Sequence, residues 1–437
     1  MGLEEQQELE SRYVMHTFAR KPLHLVSGRG MELIDSAGKR YLDFIAGIGV
    51  VSLGHCHPAV VKAVQDQAAR LMHVGNYYYV EKRGQVARML SDLLNTGGAA
   101  QGAEGGKPWA QASGTGGNGA NDGKAGFADE DAAAQMPWQS FFANSGAEAN
   151  ECAIKLARLW NRKQGRPAQV IVTLQRSFHG RTLATLAATA QAAKQDAFQP
   201  LPPGFIHSPA NDIGALEELF AHRGNEIAAV LVECVQGEGG VYPCTPGFLR
   251  AARDLTSFHG GLLICDEVQT GIYRCGSLPF AFQHFGIMPD IVTIAKGVAS
   301  GFPTGMCAAR AEVASAFEPG DHGSTFGGSS LALAAAEATL IELSQSGLPQ
   351  QVTEVGTHLC QGLATLPHVT EVRGLGLMCA CDLEEGKPAS EVVNKGHAHG
   401  LLLNATGPST LRFLPPLICT RAEVDVLIAE LRTILSD

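Results

Sequence analysis

Two apolar runs each end in a side chain able to do chemistry. Leu262-Leu-Ile-Cys-Asp266 delivers an acid, and Ile291-Val-Thr-Ile-Ala-Lys296 delivers an amine. In open α/β sheets ligands gather outside the carboxyl ends of the strands, so both groups would enter one crevice. A lysine after a buried strand more often snorkels to the surface. A third feature changes the balance: Asn144-Ser-Gly-Ala-Glu-Ala-Asn150, a small-residue turn between Phe141-Phe142 and the helical stretch Glu151 to Leu159. Free N–H groups at such a helix start suit a phosphate, although the same residues also serve as a plain N-cap. Phosphate turn, acid and lysine together are the set that pyridoxal 5'-phosphate requires. Asp266 would keep the ring nitrogen protonated, and Lys296 would hold the aldehyde covalently as a Schiff base and shuttle a proton once displaced.

Other chemistries fit less well. An apolar strand ending in Asp266-Glu267 also describes the magnesium-binding strand of a P-loop ATPase, which keeps an ATP-binding module as a remote alternative. No G-x-x-x-x-G-K-[ST] accompanies it: around Gly123-Lys124, Asn118 stands where the first Gly belongs and Ala125 where Ser or Thr should follow. His55, Cys56 and His57 are adjacent and lack a second ligand pair at zinc spacing, so no metal is expected. The 11 cysteines are odd in number and never spaced C-x-x-C, which argues against a disulfide framework.

The elements that must position these groups are legible in outline. The chain has 437 residues, 45% of them hydrophobic, enough for two or three domains. Its formal charge of −10, without a Lys/Arg cluster, disfavours nucleic acid and anionic membrane as partners. Met1 to Arg12 has neither a secretory nor a mitochondrial leader pattern, and no apolar run approaches a membrane span, so a cytoplasmic protein is expected. Gly28, Gly30, Asp35 and Gly38 punctuate a hairpin that ends at Tyr41-Leu-Asp-Phe. Helical spacing runs from Pro58 to Leu94 with a break near Gly75, and Gly97 to Gln135 reads as a disordered surface insertion rich in Gly, Ala, Asn and Ser. The runs Val170 to Leu174, Ala228 to Val232, Leu262 to Cys265 and Ile291 to Ile294 then alternate with helical stretches, which predicts a parallel sheet covered by helices.

These blocks, joined by Gly54-His-Cys-His-Pro58, Phe178-His-Gly-Arg-Thr182, Glu233-Cys-Val-Gln-Gly-Glu-Gly-Gly240, Asp266-Glu-Val-Gln-Thr-Gly271, Gly323-Ser-Thr-Phe-Gly-Gly328 and Leu411-Arg-Phe-Leu-Pro-Pro416, resemble the class III pyridoxal-phosphate aminotransferases over nearly the whole chain. The resemblance implies an α/β protein of the PLP-dependent transferase fold type I, with a mostly parallel seven-stranded sheet between helices in a large domain and a smaller α+β domain. Residues 1–65 would contribute to the small domain, 66–327 form the large one with the insertion at 97–135, and 328–437 complete the small one.

By the same likeness Gly146 and Ala147 bind the cofactor phosphate and Phe178 stacks on the ring. Asp266, Glu267, Val268 and Gln269 form the cofactor block, with Gln269 near the ring oxygen, and Lys296 is the covalent anchor. Thr325 would reach the phosphate site of the partner in a homodimer, with Ser324 beside it near substrate. Arg181 would hold the substrate carboxylate far from the reacting amine. Arg412 would hold the α-carboxylate of glutamate, masked by Glu238 when the other substrate binds. The implied reaction is transfer of the terminal amino group of N2-acetyl-L-ornithine to 2-oxoglutarate, a step of arginine biosynthesis; ornithine, succinylornithine and 4-aminobutyrate are the alternative donors. The sequence departs from relatives at Phe18, where many carry Tyr near the substrate, at Cys234 for a usual Pro, and at Ser329-Ser330 for Asn-Pro.

Overall fold

The structure is a computed structural model, and it describes residues 2–96 and 137–436. The insertion expected at 97–135, with Gly123-Lys124 inside it, lies outside the described residues. After the helix Leu3–Tyr13 comes an antiparallel meander of β1 (Leu25–Arg29), β2 (Glu32–Asp35) and β3 (Arg40–Asp43), where a hairpin is expected from the turn residues. The helical pattern of Pro58 to Leu94 resolves into two helices, Pro58–Ala68 and Arg83–Asn95, separated by non-helical chain around Gly75. Pro58 opens the first of them at a position whose N–H has no intrahelical partner, so its missing donor costs nothing there.

Next come β4 (Trp138–Ala143), β5 (Val170–Leu174), β6 (Phe205–Ser208), β7 (Ile227–Val232), the small hairpin of β8 (Val235–Gln236) and β9 (Tyr242–Pro243), then β10 (Leu262–Asp266), β11 (Ile291–Ile294) and β12 (Gly305–Arg310). Seven of them make the main sheet in the order β4-β12-β11-β10-β7-β5-β6. Neighbours from β11 through β6 are parallel, and β12 runs antiparallel to both its flanks. Every residue of β5, β7, β10 and β11 is buried. A sheet covered on both faces needs such unbroken apolar runs, because no face is left for polar alternation.

β4, β6 and β12 are less visible in the sequence. β12 is Gly305-Met-Cys-Ala-Ala-Arg310, without a single β-branched residue. Its first residue is set by close approach: a Cβ on Gly305 would lie 2.2 Å from the carbonyl oxygen of Ser145. Small size, not strand propensity, is what the fold requires there.

The C-terminal region builds a second sheet from β13 (Val369–Leu375), β14 (Met378–Leu383), β16 (Asn404–Ala405) and β17 (Thr410–Phe413), while β15 (Leu401–Leu402) pairs in parallel with β3. The N-terminal meander and the chain's last hundred residues therefore share a sheet. Among the described residues no helix is long and apolar enough to cross a membrane.

Candidate active site

β10 and β11 are parallel neighbours, with Asp266 paired to Thr293 in register. Ile294 and Ala295 then place Lys296 just beyond the end of β11, so acid and amine enter the same cavity, of about 400 Å³. Lys296 has φ of +48°, a left-handed conformation that a lysine adopts only under constraint. The constraint comes from the segment ahead of Gly54: Ser52 Oγ donates to the Gly297 carbonyl at 2.7 Å, and Leu53 N–H donates to Ser300 Oγ at 3.0 Å. Burial lowers the Lys296 ammonium to a pKa of about 8, opposed by the nearby charge of Glu238 and assisted by that of Arg412. A desolvated amine that loses its proton near pH 8 is a competent nucleophile and proton carrier.

Asp266 is held on three sides. Its Oδ2 accepts from Asn150 Nδ2 and His179 Nδ1, each at 2.8 Å, and its Oδ1 accepts from the Val268 N–H at 3.0 Å. Asn150 is fixed in turn, donating to the His179 carbonyl at 2.8 Å and accepting from Thr293 Oγ1 at 2.8 Å. The carboxylate thus has a defined orientation and still borders the cavity.

The helix Gly146–Lys163 starts at the cavity wall. Ser145 caps it by accepting from the Glu148 N–H. The N–H groups of Gly146 and Ala147 lie in the first turn, where no carbonyl of the helix can reach them. Both residues line the cavity, and a Cβ on Gly146 would come within 2.6 Å of Val268 Cγ1. An 18-residue helix with two free amides at its N-terminus is a cradle for an anion. Phe178 also lines the cavity, as does Gly180, whose φ of +144° and 2.5 Å Cβ approach to Thr185 Oγ1 admit no side chain. The cradle, the aromatic face, the acid and the lysine fit pyridoxal phosphate in every part.

Two arginines flank this set. Arg181 lines the cavity and is exposed, its guanidinium carbon 5.7 Å from the Phe178 ring centroid. Arg412, on β17, is only 2% exposed, and its Nη1 donates to Glu238 Oε1 at 2.6 Å and to Gln269 Oε1 at 3.2 Å. Burial works against ionisation of Glu238, but the charge and hydrogen bond of Arg412, with Lys296 behind them, hold its carboxyl below the usual range. Glu238 and Gln269 line the cavity, and Arg412 sits behind them.

The structure differs from the sequence reading at Glu267. Expected with the cofactor block, it does not line the cavity: its carboxylate accepts from Thr270 Oγ1 and from the N–H groups of Ala281 and Phe282, and burial raises it to about 7. Successive strand residues point to opposite faces, so Asp266 and Glu267 diverge and do not form a joint cation site. Among the described residues no cluster of His, Cys, Asp or Glu could hold a metal ion, and His55 is instead hydrogen-bonded to Asp43 at 2.7 Å. Thr325 is exposed and outside the cavity of its own chain. Ser324 is also outside it, accepting from Asn144 Nδ2 at 3.1 Å and from the Gly327 N–H at 3.0 Å. Phe18 is 77% exposed and takes no part in the cavity.

Three further residues inside the quoted sequence blocks belong to the site. Asn150 and His179 orient Asp266 as described. Glu233 lines the cavity with its two oxygens accepting the N–H groups of Phe178 at 2.9 Å and Gly237 at 3.0 Å, so one carboxylate ties the Phe178–Arg181 loop to the turn carrying Glu238. Burial raises Glu233 to about 7. Asn150 comes from the helix Gly146–Lys163, while His179 and Glu233 follow β5 and β7, so only the folded sheet and helix bring these three to the site.

Fold and site together define a transferase that works on amines through a lysine-anchored cofactor. The chain belongs to the class III aminotransferases, whose family model matches residues 15–115 and 127–435. Pyridoxal phosphate is its cofactor. The chain is 43% identical, over 98% of both chains, to the acetylornithine aminotransferase of Caldanaerobacter subterraneus subsp. tengcongensis. Similar solved structures include the ornithine aminotransferase of Toxoplasma gondii ME49 (TM-score 0.85, 29% identity, 100% of this chain and 95% of that one). The acetylornithine aminotransferase of Elizabethkingia anophelis is another (TM-score 0.79, 29% identity, 100% and 99%).

Proposed function

We propose that this enzyme transfers the terminal amino group of N2-acetyl-L-ornithine to 2-oxoglutarate, giving N-acetyl-L-glutamate 5-semialdehyde and L-glutamate. The observation that carries the reading is the pair of arginines, one open to the cavity and one sealed by a carboxylate. Both substrates carry a carboxylate distant from the reacting carbon, which Arg181 can grip with two parallel hydrogen bonds. Only glutamate and 2-oxoglutarate carry a second one beside the reacting carbon. Glu238 neutralises Arg412 while the acetylated amine is bound, and the α-carboxylate of the keto acid takes its place afterwards. One cavity then serves two substrates of different charge.

Bound pyridoxal phosphate supplies an electron sink for the bond broken at the reacting carbon. The chain supplies the rest. Gly146 and Ala147 fix the phosphate end, Phe178 covers a ring face, and Asp266 holds a proton on the ring nitrogen. The Lys296 amine, its pKa lowered by desolvation, moves the proton at the reacting carbon. The identity to acetylornithine enzymes supports N2-acetyl-L-ornithine over ornithine and 4-aminobutyrate as donor. A panel of kcat/KM values tests this. N2-acetyl-L-ornithine, with succinylornithine near it, is expected to exceed free ornithine and 4-aminobutyrate by about 10²-fold or more; equal values with ornithine would overturn the donor assignment.

The same reading includes a homodimer. Thr325 is exposed and outside its own cavity, and Asn76 Nδ2 donates to the Ser324 carbonyl at 2.8 Å, which ties this turn to a segment where Tyr77 is 98% and Tyr79 105% exposed, with Phe326 62% exposed. Exposed aromatic side chains of this kind favour a protein partner, and a second copy would carry Thr325 to the other phosphate cradle. Sedimentation of the holoenzyme should give twice the 46.0 kDa of one chain; a monomer with full activity would refute this part.

A further inference from the structure

Arg412 has two kinds of partner, and they differ in charge. Its Nη1 donates to Glu238 and Gln269 at the cavity wall, whereas its Nε and Nη2 both donate to Asn404 Oδ1, at 3.1 and 2.9 Å. Asn404 and Arg412 are register partners across β16 and β17, so the backbone ladder itself sets the amide beside the guanidinium. Glu238 instead stands in the turn between β8 and β9, flanked by Gly237, Gly239 and Gly240. The fixed partner is neutral and the partner on the glycine-rich turn is charged.

That division has a physical consequence. A carboxylate at position 404 would hold the guanidinium in a permanent buried ion pair and set a second negative charge against any incoming carboxylate. An apolar residue there would leave two buried N–H groups without an acceptor and free the guanidinium to turn. An amide oxygen satisfies both N–H groups and leaves the positive charge uncompensated. Among the described residues only Glu238 then pairs with it from the cavity side, and its departure leaves the charge at Nη1 unpaired.

We propose that Asn404 is a specificity-determining positioning residue for the keto-acid substrate: it aims Arg412 Nη1 at the cavity while leaving its charge to be claimed by either Glu238 or the α-carboxylate. The inference rests on the assignment of Arg412 to that carboxylate. It predicts an effect confined to one of the two substrates, because Arg412 is masked whenever the amine donor is bound.

The test uses purified holoenzymes of Asn404→Asp, Asn404→Ala and Arg412→Ala. KM and kcat are measured for N2-acetyl-L-ornithine and for 2-oxoglutarate, and the affinity for glutarate, an unreactive five-carbon dicarboxylate, is measured by calorimetry. Asn404→Asp should raise the KM for 2-oxoglutarate and the Kd of glutarate by at least about tenfold, with the KM for the amine donor within about twofold. Asn404→Ala should fall between this variant and the parent, and it carries the same test if Asn404→Asp folds poorly. Equal rises for both substrates, or no change in glutarate affinity with either Asn404 variant, would overturn the role of Asn404. Unchanged glutarate affinity in Arg412→Ala would instead refute the assignment of Arg412 itself.

Discussion

Lys296→Ala is expected to lower kcat by at least about 10⁴-fold, the upper range for a single positioned proton carrier, with covalent attachment of the cofactor lost as well. Noncovalent binding should persist in part, since the amides of Gly146 and Ala147, the Phe178 ring and Asp266 all remain. Mass spectrometry after borohydride reduction should find the cofactor on the Lys296 peptide of the parent and on no peptide of the variant. The depressed pKa gives a second readout in cofactor-free protein. A neutral amine becomes about tenfold more abundant per pH unit below its pKa, so labelling of Lys296 by an amine-directed reagent should rise tenfold per unit and level off near pH 8. An ordinary lysine continues to rise through pH 10. Labelling that climbs past pH 9 without a plateau would show that the cavity does not desolvate this side chain.

Asp266→Ala has the next largest expected effect, and it strikes structure and chemistry together. The Asn150 amide and the His179 ring N–H would lose their shared acceptor in a buried site, at about 1–3 kcal/mol for each unsatisfied group. Asp266→Asn separates the two contributions. Its amide oxygen can still accept from one of these donors, so the melting temperature should fall less than in Asp266→Ala. It carries no charge to hold a proton on the ring nitrogen, so kcat should still drop by about 10²–10³-fold, the range seen when one electrostatic stabiliser is removed. A variant Asp266→Asn with near-parental kcat would mean that the acid is only a structural anchor for Asn150 and His179.

The chemistry was legible in the sequence where a whole function sits on one continuous run. An apolar strand ending in Asp266, another ending in Lys296, and a small-residue helix start at Ser145 each announce themselves locally, because strand burial and helix capping are local patterns. β5 and β11 follow for the same reason. β12 escapes this logic, since it lacks β-branched residues and its Gly305 answers to the Ser145 backbone packed against it. Glu267 shows the complementary limit. It follows Asp266 in the chain, yet the alternation of strand side chains turns it into the protein, where it tethers Ala281 and Phe282. Asn150, His179 and Glu233 lie within conspicuous blocks, but their roles depend on partners 29 to 116 residues away in the chain. Asn404 is the extreme case: nothing near it in the chain marks it, and only the β16–β17 register sets it beside Arg412.

In the proposed reaction one cavity, built around Lys296, takes the terminal amine of an acylated diamine and hands it to a keto acid. A single-turnover experiment on the holoenzyme tests it most directly. N2-acetyl-L-ornithine alone should discharge the visible absorbance of the bound cofactor and release one semialdehyde per Lys296. Subsequent 2-oxoglutarate should restore the absorbance and release one glutamate. An absorbance that N2-acetyl-L-ornithine leaves unchanged while ornithine or 4-aminobutyrate discharges it would contradict the account.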